Sequence, residues 1–299
     1  MAAVQTEAAL LSAPWQRCVF VYGGLACNSL MADFWSDRSP LHEAAHHGRL
    51  LQMRSLIAQG FHVDALSMDR VSPLHEACLG GRAACAKFLL ENGADVETVS
   101  TDGATALFNS CSSGSAACVR LVLQHGASIQ PRLLASPMHE AAKRGHAECL
   151  QLLLSSGAPI DMELPLAGTP LYSACTARAA ACVSLLLLSG ADVHGGCGPD
   201  SPLHAAVRGG AVSVVDLLLD FGADGCRRNA EGKTPLALAS ASSAVRAALQ
   251  TKGPGALSQL CRVRVRQSLG SRRLHRAAGL VLPLSLKDFL LYETSPSGR

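Results

Sequence analysis

A short phrase that recurs along most of this 299-residue chain constrains its fold more than any other feature. The phrase is Ser/Thr-Pro-Leu-His or a variant of it, and it begins at Ser39, Ser72, Thr105, Ser136, Thr169, Ser201 and Thr234. Successive starts are 33, 33, 31, 33, 32 and 33 residues apart. In the first six copies the second phrase residue and a later glycine are always 20 residues apart, as Pro40 and Gly60 are. This period indicates stacked repeats.

The copy from Ser72 to Val96 shows how one repeat is expected to fold. Ser72 followed by Pro73 predicts a helix start, because the hydroxyl can accept from a free backbone N–H and proline loses no needed donor there. A Gly-Gly pair ends this short helix, and the apolar stripe within 84–89 predicts a second one. Gly93 is expected to end it in the left-handed conformation. Two short helices cannot bury their apolar faces alone, so each repeat needs a neighbour.

The Thr-Pro-Leu-His phrase and the 33-residue period resemble the ankyrin repeat. That resemblance implies an all-α ankyrin-repeat solenoid over residues 36–252, with six full repeats and a partial, capping seventh copy. Loops between repeats project as fingers and, with the first helices, line a surface suited to binding protein. We predict substrate contacts at charged residues of consecutive fingers: Asp69, Arg70, Asp102 and Arg132. The alternative is that these charges only keep the edge of the solenoid solvated.

Four histidines, at positions 42, 75, 139 and 204, occupy the fourth position of the phrase. Recurrence at one site in each repeat favours a structural hydrogen-bonding residue over a metal ligand or a base. The sequence contains no visible nucleophile–base–orienter set and no phosphate-binding glycine loop. We therefore predict a non-catalytic protein that needs no cofactor and no metal.

Seven of the twelve cysteines recur at two positions of the repeat. Cys78, Cys111 and Cys175 share one position, and Cys85, Cys118, Cys149 and Cys182 share the other. Such recurrence predicts small apolar core residues in a reducing compartment, hence a cytoplasmic protein, with the nucleus as the second location allowed. Disulfides or zinc are the alternative, although the chain has no C-x2-C pair.

Residues 1–35 do not fit the repeat, and we predict a partly ordered N-terminal extension. Its apolar run, 18–32, is only 15 residues long and is too short to span a bilayer. We expect it to cover the apolar end of the first repeat; a secretory signal is the alternative, given Arg17 and the small residues near Ala26. The formal charge of +3 is too small to argue for nucleic acid. We expect neither a membrane nor a nucleic-acid partner.

Residues 253–293 follow a Lys-Gly-Pro-Gly boundary and have a different pattern. Breaks at Gly270 and Pro283 divide them into three predicted short helices, the last beginning at Ser285 with Asp288 in a capping-box-like position. A segment this small cannot form its own core, so we expect it to complete itself on a partner helix. Residues 294–299 are predicted to be a flexible tail.

Two groups of residues in this segment resemble known binding boxes. The elongin-binding box, small or hydroxyl residue–Leu–xxx–Cys–xxx–aliphatic, is matched by Leu257, Cys261 and Val265 after Ala256. The cullin-5-selecting Leu-Pro box is resembled by Leu282, Pro283 and Leu284. Ser285 stands where many members have a second proline. Together the boxes look like a SOCS box, and residues 36–293 resemble the ankyrin-repeat and SOCS-box family, in particular its subgroup with six to seven repeats.

This resemblance implies a substrate receptor of a cullin–RING ubiquitin ligase. The SOCS box would hold elongin B, elongin C and cullin-5 with its RING protein, and the ankyrin surface would hold an unidentified protein to be ubiquitylated. Leu257 and Cys261 would enter a pocket of elongin C beside Val265, and residues 282–284 would face the cullin. A serine at 285 could weaken the cullin contact. The alternative is a plain ankyrin scaffold or transcription cofactor whose C-terminal helices only cap the solenoid.

The arginines between Arg262 and Arg276 have three interpretations. We expect these arginines to form the solvent-exposed face of helices that are bound to elongin. A nuclear-import or nucleic-acid patch is the second, although apolar residues interrupt the run. A surface that pairs with an acidic partner is the third.

Overall fold

A computed structural model describes residues 38–130, 135–240 and 243–251, and in the C-terminal region residues 261–262, 265–266, 268–269, 279 and 282–291. These residues form α-helices joined by loops, and isolated β-bridges occur between Leu164 and Gly168 and between Cys197 and Asp200. The prediction of an all-α solenoid is confirmed. The predicted extension at 1–35 and the predicted tail at 294–299 lie outside the described residues.

Each of the first six repeats contributes two helices. The first helices are α1 (Pro40–His47), α3 (Pro73–Leu79), α5 (Ala106–Ser113), α7 (Pro137–Arg144), α9 (Pro170–Thr176) and α11 (Pro202–Gly209). The second helices are α2 (Leu50–Ala58), α4 (Ala83–Glu91), α6 (Ala116–Gln124), α8 (Ala147–Ser155), α10 (Ala180–Leu188) and α12 (Val212–Asp220). The seventh copy supplies α13 (Pro235–Leu238) and α14 (Ala244–Thr251), and the C-terminal region supplies α15 (Leu284–Leu291). First helices pack on first helices and second helices on second helices, which makes two layers.

The hydroxyl that opens each phrase behaves as expected in five of the seven copies. The side chains of Ser72, Thr105, Thr169, Ser201 and Thr234 accept a hydrogen bond from the backbone N–H three residues on. Ser39 and Ser136 instead contact the imidazole of the phrase histidine, at 2.8 and 2.9 Å. In both arrangements a polar group at the helix start has a hydrogen-bonding partner.

The core runs along the array between the two helix layers. The third phrase residue is buried in each of the first six repeats: Leu41, Leu74, Leu107, Met138, Leu171 and Leu203. The second helices add fully buried leucines, among them Leu89, Leu153, Leu186 and Leu218. Each such side chain contributes about 1.5–3 kcal/mol of hydrophobic stabilisation. The repeats therefore share one continuous core.

The glycine at constant spacing ends the second helix of each full repeat. Glycines 60, 93, 126, 157, 190 and 222 have φ of 96°, 84°, 87°, 87°, 93° and 86°. No heavy atom lies within 4 Å of a Cβ built at Gly93. Backbone conformation, and not lack of space, requires glycine there.

The last helix begins one residue earlier than predicted. Helix α15 starts at Leu284, and its first N–H groups, of Leu286 and Lys287, donate to the carbonyl of Pro283 at 3.0 and 3.1 Å. Ser285 therefore lies inside the first turn, and the predicted capping box with Asp288 is wrong. A proline immediately before the helix has no N–H to satisfy, and its carbonyl accepts the first helical bonds.

Candidate partner-binding surfaces

Buried histidines connect each of four repeats to the finger that follows it. His75 illustrates the link: its Nε2 lies 3.1 Å from the carbonyl oxygen of Ala104, and its Nδ1 accepts from the Ser72 N–H at 3.2 Å. The equivalent Nε2 contacts join His42 to Val71, His139 to Gly168 and His204 to Lys233. The expectation of structural hydrogen-bonding histidines is confirmed.

The contacts of His75 fix its protonation. The Ala104 carbonyl oxygen only accepts and the Ser72 N–H only donates, so Nε2 carries the proton and Nδ1 is the acceptor, which makes the ring neutral. Burial lowers the pKa of His75, and it also lowers the pKa of His42 and His139. A second proton on Nδ1 would face the Ser72 N–H, so this contact at the helix start requires the neutral form.

The fifth repeat replaces histidine with Tyr172 and uses a different link. The Tyr172 hydroxyl donates to Asp200 at 2.8 Å, and Arg208 contacts both the Asp200 carboxylate and the Tyr172 oxygen. Arg208 forms a salt bridge with Asp200, and the pKa of Asp200 is lowered because Arg208 and Tyr172 donate to its carboxylate against the effect of burial. Tyr172, at the phrase's fourth position, therefore still holds the next finger.

The predicted substrate contacts lie on neighbouring fingers where the structure describes them. Asp69, Arg70 and Asp102 are all exposed. The carbonyl of Asp69 accepts from the Thr101 N–H at 3.0 Å, so the two fingers are joined by backbone. Arg132 lies outside the described residues. Which of these residues contacts a substrate stays a prediction.

Apolar side chains at the finger tips were not among the predicted contacts. Met68 is 79% exposed and precedes Asp69 on the same finger, and Leu166 is 73% exposed on a finger further along. Single exposed apolar side chains are common on protein surfaces, so Met68 is a candidate contact because it adjoins the exposed charges of its finger. In the sequence, these two residues could have been recognised as apolar residues inside otherwise polar loops.

The C-terminal segment exposes the apolar residues that the sequence singled out. Residues 261–262, 265–266 and 268–269 are helical, and on that stretch Cys261 is exposed and Val265 is 39% exposed. Leu282 is 37% exposed and Pro283 is exposed beside it, while Leu286, which was not predicted, is 48% exposed on α15. Leu257 lies outside the described residues, and Leu284 begins α15.

Of the two arginines that the structure describes on this stretch, Arg266 turns inward, so its interpretation as part of a solvated face is wrong, whereas Arg262 is partly buried. Arg266 is only 8% exposed, and its guanidinium donates to three backbone carbonyls. The guanidinium carbon of Arg262 lies 3.6 Å from the centroid of the Phe289 ring on α15. Since Cys261 with Val265 and Arg262 with Arg266 are each four residues apart, the stretch presents an apolar stripe outward and a cationic stripe inward.

The recurrent cysteines are buried free thiols, as predicted: Cys78, Cys85, Cys111, Cys118, Cys149, Cys175 and Cys182. Burial raises the pKa of Cys149 and of Cys182 to about 11, so both remain thiols at neutral pH. Within the ranges that the structure covers, no three His, Cys, Asp or Glu side chains converge as a metal site needs. In the same ranges no helix has the length and apolar character to cross a bilayer.

Comparison with known protein families covers the array and the C-terminal segment separately. The model for ankyrin repeats in three copies matches residues 18–100, 41–133, 95–164, 134–195 and 171–253. The model for the SOCS box matches residues 253–291.

Individual relatives match nearly the whole chain. Ankyrin repeat and SOCS box protein 11 of Danio rerio is 53% identical over 293 residues, 98% of this chain and 100% of the relative. Ankyrin repeat and SOCS box protein 9 of Mus musculus is 57% identical over 267 residues, 89% of this chain and 92% of the relative. The crystal structure of the human ASB11 ankyrin repeat domain is similar with a TM-score of 0.71 at 56% identity, covering 73% of this chain and 100% of that one.

Proposed function

This chain belongs to the family of ankyrin repeat and SOCS box proteins, and from that premise we propose that it is a non-catalytic substrate receptor of an elongin B/C–cullin-5–RING ubiquitin ligase. Its SOCS box docks the ligase. Its ankyrin array binds a protein that is ubiquitylated and then degraded. The family match of residues 253–291 supports the docking role.

The observation that carries the proposal is the inverted exposure of the C-terminal helical stretch. Cys261 and Val265 face solvent, whereas Arg266 is buried. In a helix that packs only against its own chain, the apolar side is buried and the charges are outside. An outward apolar stripe of this kind fits a partner that covers it, as in helix-in-groove recognition.

Elongin C is the proposed partner for this stripe. Cys261 is small enough to enter a pocket, and Val265 lies one turn further along, so the two contact one surface. Leu282, Pro283 and Leu286 are a second group of exposed apolar residues and are proposed to face cullin-5. Leu257, the first residue of the elongin-binding box, and Leu284 are proposed contacts on the family pattern alone.

Substrate recognition is assigned to the fingers. Asp69, Arg70, Asp102 and the apolar tip Met68 are proposed to contact the substrate, because they are exposed on fingers joined by backbone hydrogen bonds. Arg132 is proposed with them on the sequence pattern alone. The seven buried free thiols support a cytoplasmic location, where the medium is reducing.

Capture of elongin B and elongin C by the full chain tests the docking role. The Cys261→Phe substitution, alone and with Leu257→Pro, should abolish capture, since phenylalanine is too large for a pocket that takes cysteine. Cys226→Phe is the matched control, because Cys226 is an exposed cysteine on an ankyrin finger. Equal capture by wild type and Cys261→Phe would favour the plain scaffold, as would unchanged partner binding and cellular outcome after deletion of residues 254–299.

Cullin selection is tested on the elongin-bound chain. Ser285 is exposed in the first turn of α15, where many family members have proline. Ser285→Pro should raise the affinity for cullin-5 if the serine weakens the contact, and proline is tolerated in a first helical turn. An unchanged dissociation constant would show that Ser285 does not weaken cullin-5 binding.

A further inference from the structure

One guanidinium connects the C-terminal segment to the ankyrin array. Arg266 donates to the carbonyl oxygens of Leu187 and Leu188 at 2.9 and 3.0 Å and to that of Leu290 at 2.8 Å. Its guanidinium carbon also lies 5.6 Å from the centre of the Phe221 ring. Leu187 and Leu188 belong to the fifth repeat, Phe221 to the sixth, and Leu290 to the last helix of the chain.

All three carbonyls belong to helix C-terminal ends. Leu187 and Leu188 are the last residues of α10, and Leu290 is the penultimate residue of α15. Carbonyls in the last turn of a helix lack complete intrahelical partners and carry the negative end of the helix dipole. A planar guanidinium presents five N–H donors in a fixed fork that can reach carbonyls of two helices, whereas an ammonium group offers three donors from a single point.

The burial of Arg266 makes these contacts obligatory. A buried cation is costly unless its donors are hydrogen-bonded, so the side chain is stable in this place only while α10 and α15 both keep their positions. The Arg262 guanidinium stacked on the Phe289 ring holds the same two parts of the C-terminal segment together. Phe289 and Leu290 are neighbours on α15, so both arginines act on the same helix end.

We propose that Arg266 is a positioning residue that fixes the orientation of the SOCS box relative to the ankyrin array. The inference rests on the proposed function, because orientation matters for a receptor that must present a bound protein to a ligase at a defined place. Arg266 sits on the inward side of the stretch whose outward side carries Cys261 and Val265. The same stretch therefore binds the ligase on one side and the array on the other.

The test compares wild type, Arg266→Gln and Arg266→Lys as full chains bound to elongin B and elongin C. Amide hydrogen exchange should be about ten-fold faster in peptides covering 284–291 in Arg266→Gln, because the charge-assisted bonds are lost. Small-angle X-ray scattering of the complex should show a broader distribution of interatomic distances. Elongin affinity should stay within about two-fold, since the outward stripe is intact. Arg266→Lys should lie between the other two, because it keeps the charge without the fork.

Arg120→Gln is the control for loss of an arginine, since Arg120 is half exposed and pairs only at the surface with Glu148. Exchange and scattering equal to wild type in Arg266→Gln would overturn the proposal. Loss of elongin affinity together with the faster exchange would also overturn it, because Arg266 would then hold the box's own fold. The exchange comparison is also made on the free chain. If wild type does not bind elongins, the proposed function is wrong, and exchange in the free chain still tests whether Arg266 holds α15 against the array.

Discussion

The ankyrin array and the C-terminal segment place their side chains by opposite rules. In the array, the core leucines and the seven recurrent cysteines are buried, and the finger charges Asp69, Arg70 and Asp102 are exposed. In the C-terminal helical stretch, Arg266 is buried while Val265 remains 39% exposed. The array is complete once its repeats stack, because each repeat buries its neighbour's apolar face. The C-terminal segment is anchored to the array by Arg266 and leaves Cys261 and Val265 exposed, where we propose that elongin C binds.

The largest expected difference between the two regions is in truncation of leucines. Leu186→Ala, at a fully buried position in α10, should lower the free energy of unfolding by about 2–5 kcal/mol because it leaves a cavity. Leu286→Ala, at a 48% exposed position in α15, should change it by less than about 0.5 kcal/mol. Urea unfolding of the two variants measures both. Equal losses would mean that the C-terminal segment has a core of its own.

Removal of a buried polar link should have a smaller effect. His75→Leu removes the imidazole that joins the Ser72 N–H to the Ala104 carbonyl and leaves the buried Ser72 N–H without this acceptor, at a cost of about 1–3 kcal/mol. His125→Leu is the matched control, because His125 is exposed at the end of α6. Thermal unfolding compares them, and a control as unstable as His75→Leu would refute the link.

Acid should weaken the array through the same histidines. Burial lowers the pKa values of His42, His75 and His139 below their ordinary value of 6.5. The unfolded chain therefore binds protons that the folded chain does not, and stability is complete above about pH 6.5 and declines as pH falls below it towards the lowered values. The thermal midpoint should drop between about pH 7.5 and pH 5.5, and should drop less in His75→Leu. A midpoint that rises on acidification would contradict this assignment.

The last prediction compares the accessibility of cysteine thiols in the two regions and involves no change in stability. Under native conditions iodoacetamide should modify the exposed Cys226 and Cys261, while the seven buried thiols react only on unfolding. Elongin B and elongin C should protect Cys261 and leave Cys226 reactive. Peptide mass spectrometry quantifies each site, and continued modification of Cys261 at saturating elongin would place the docking surface elsewhere.

The repeats could be derived from sequence because their information is local and repeated. The phrase starts, the constant distance to the glycine, and the fourth-position histidines each recur with a fixed spacing, so one physical explanation serves all copies. The C-terminal site was partly accessible for a similar reason: Cys261 and Val265 lie four residues apart, and that spacing places them on one helix side. Leu286 was missed because an exposed leucine and a buried leucine look alike in sequence.

The sequence by itself determined the stacked helical architecture, the core positions and the segment for which we propose docking, since helix periodicity and turn chemistry act over a few residues. Only the tertiary structure decided which residues of the C-terminal helical stretch face the solvent and which face the array. Arginine 266 lies 79 and 78 residues from the carbonyls of Leu187 and Leu188 that it binds. A contact over that distance leaves no local pattern, and on local pattern alone a charge is expected in water. The end of a helix in the fifth repeat provides the partners that make its burial favourable.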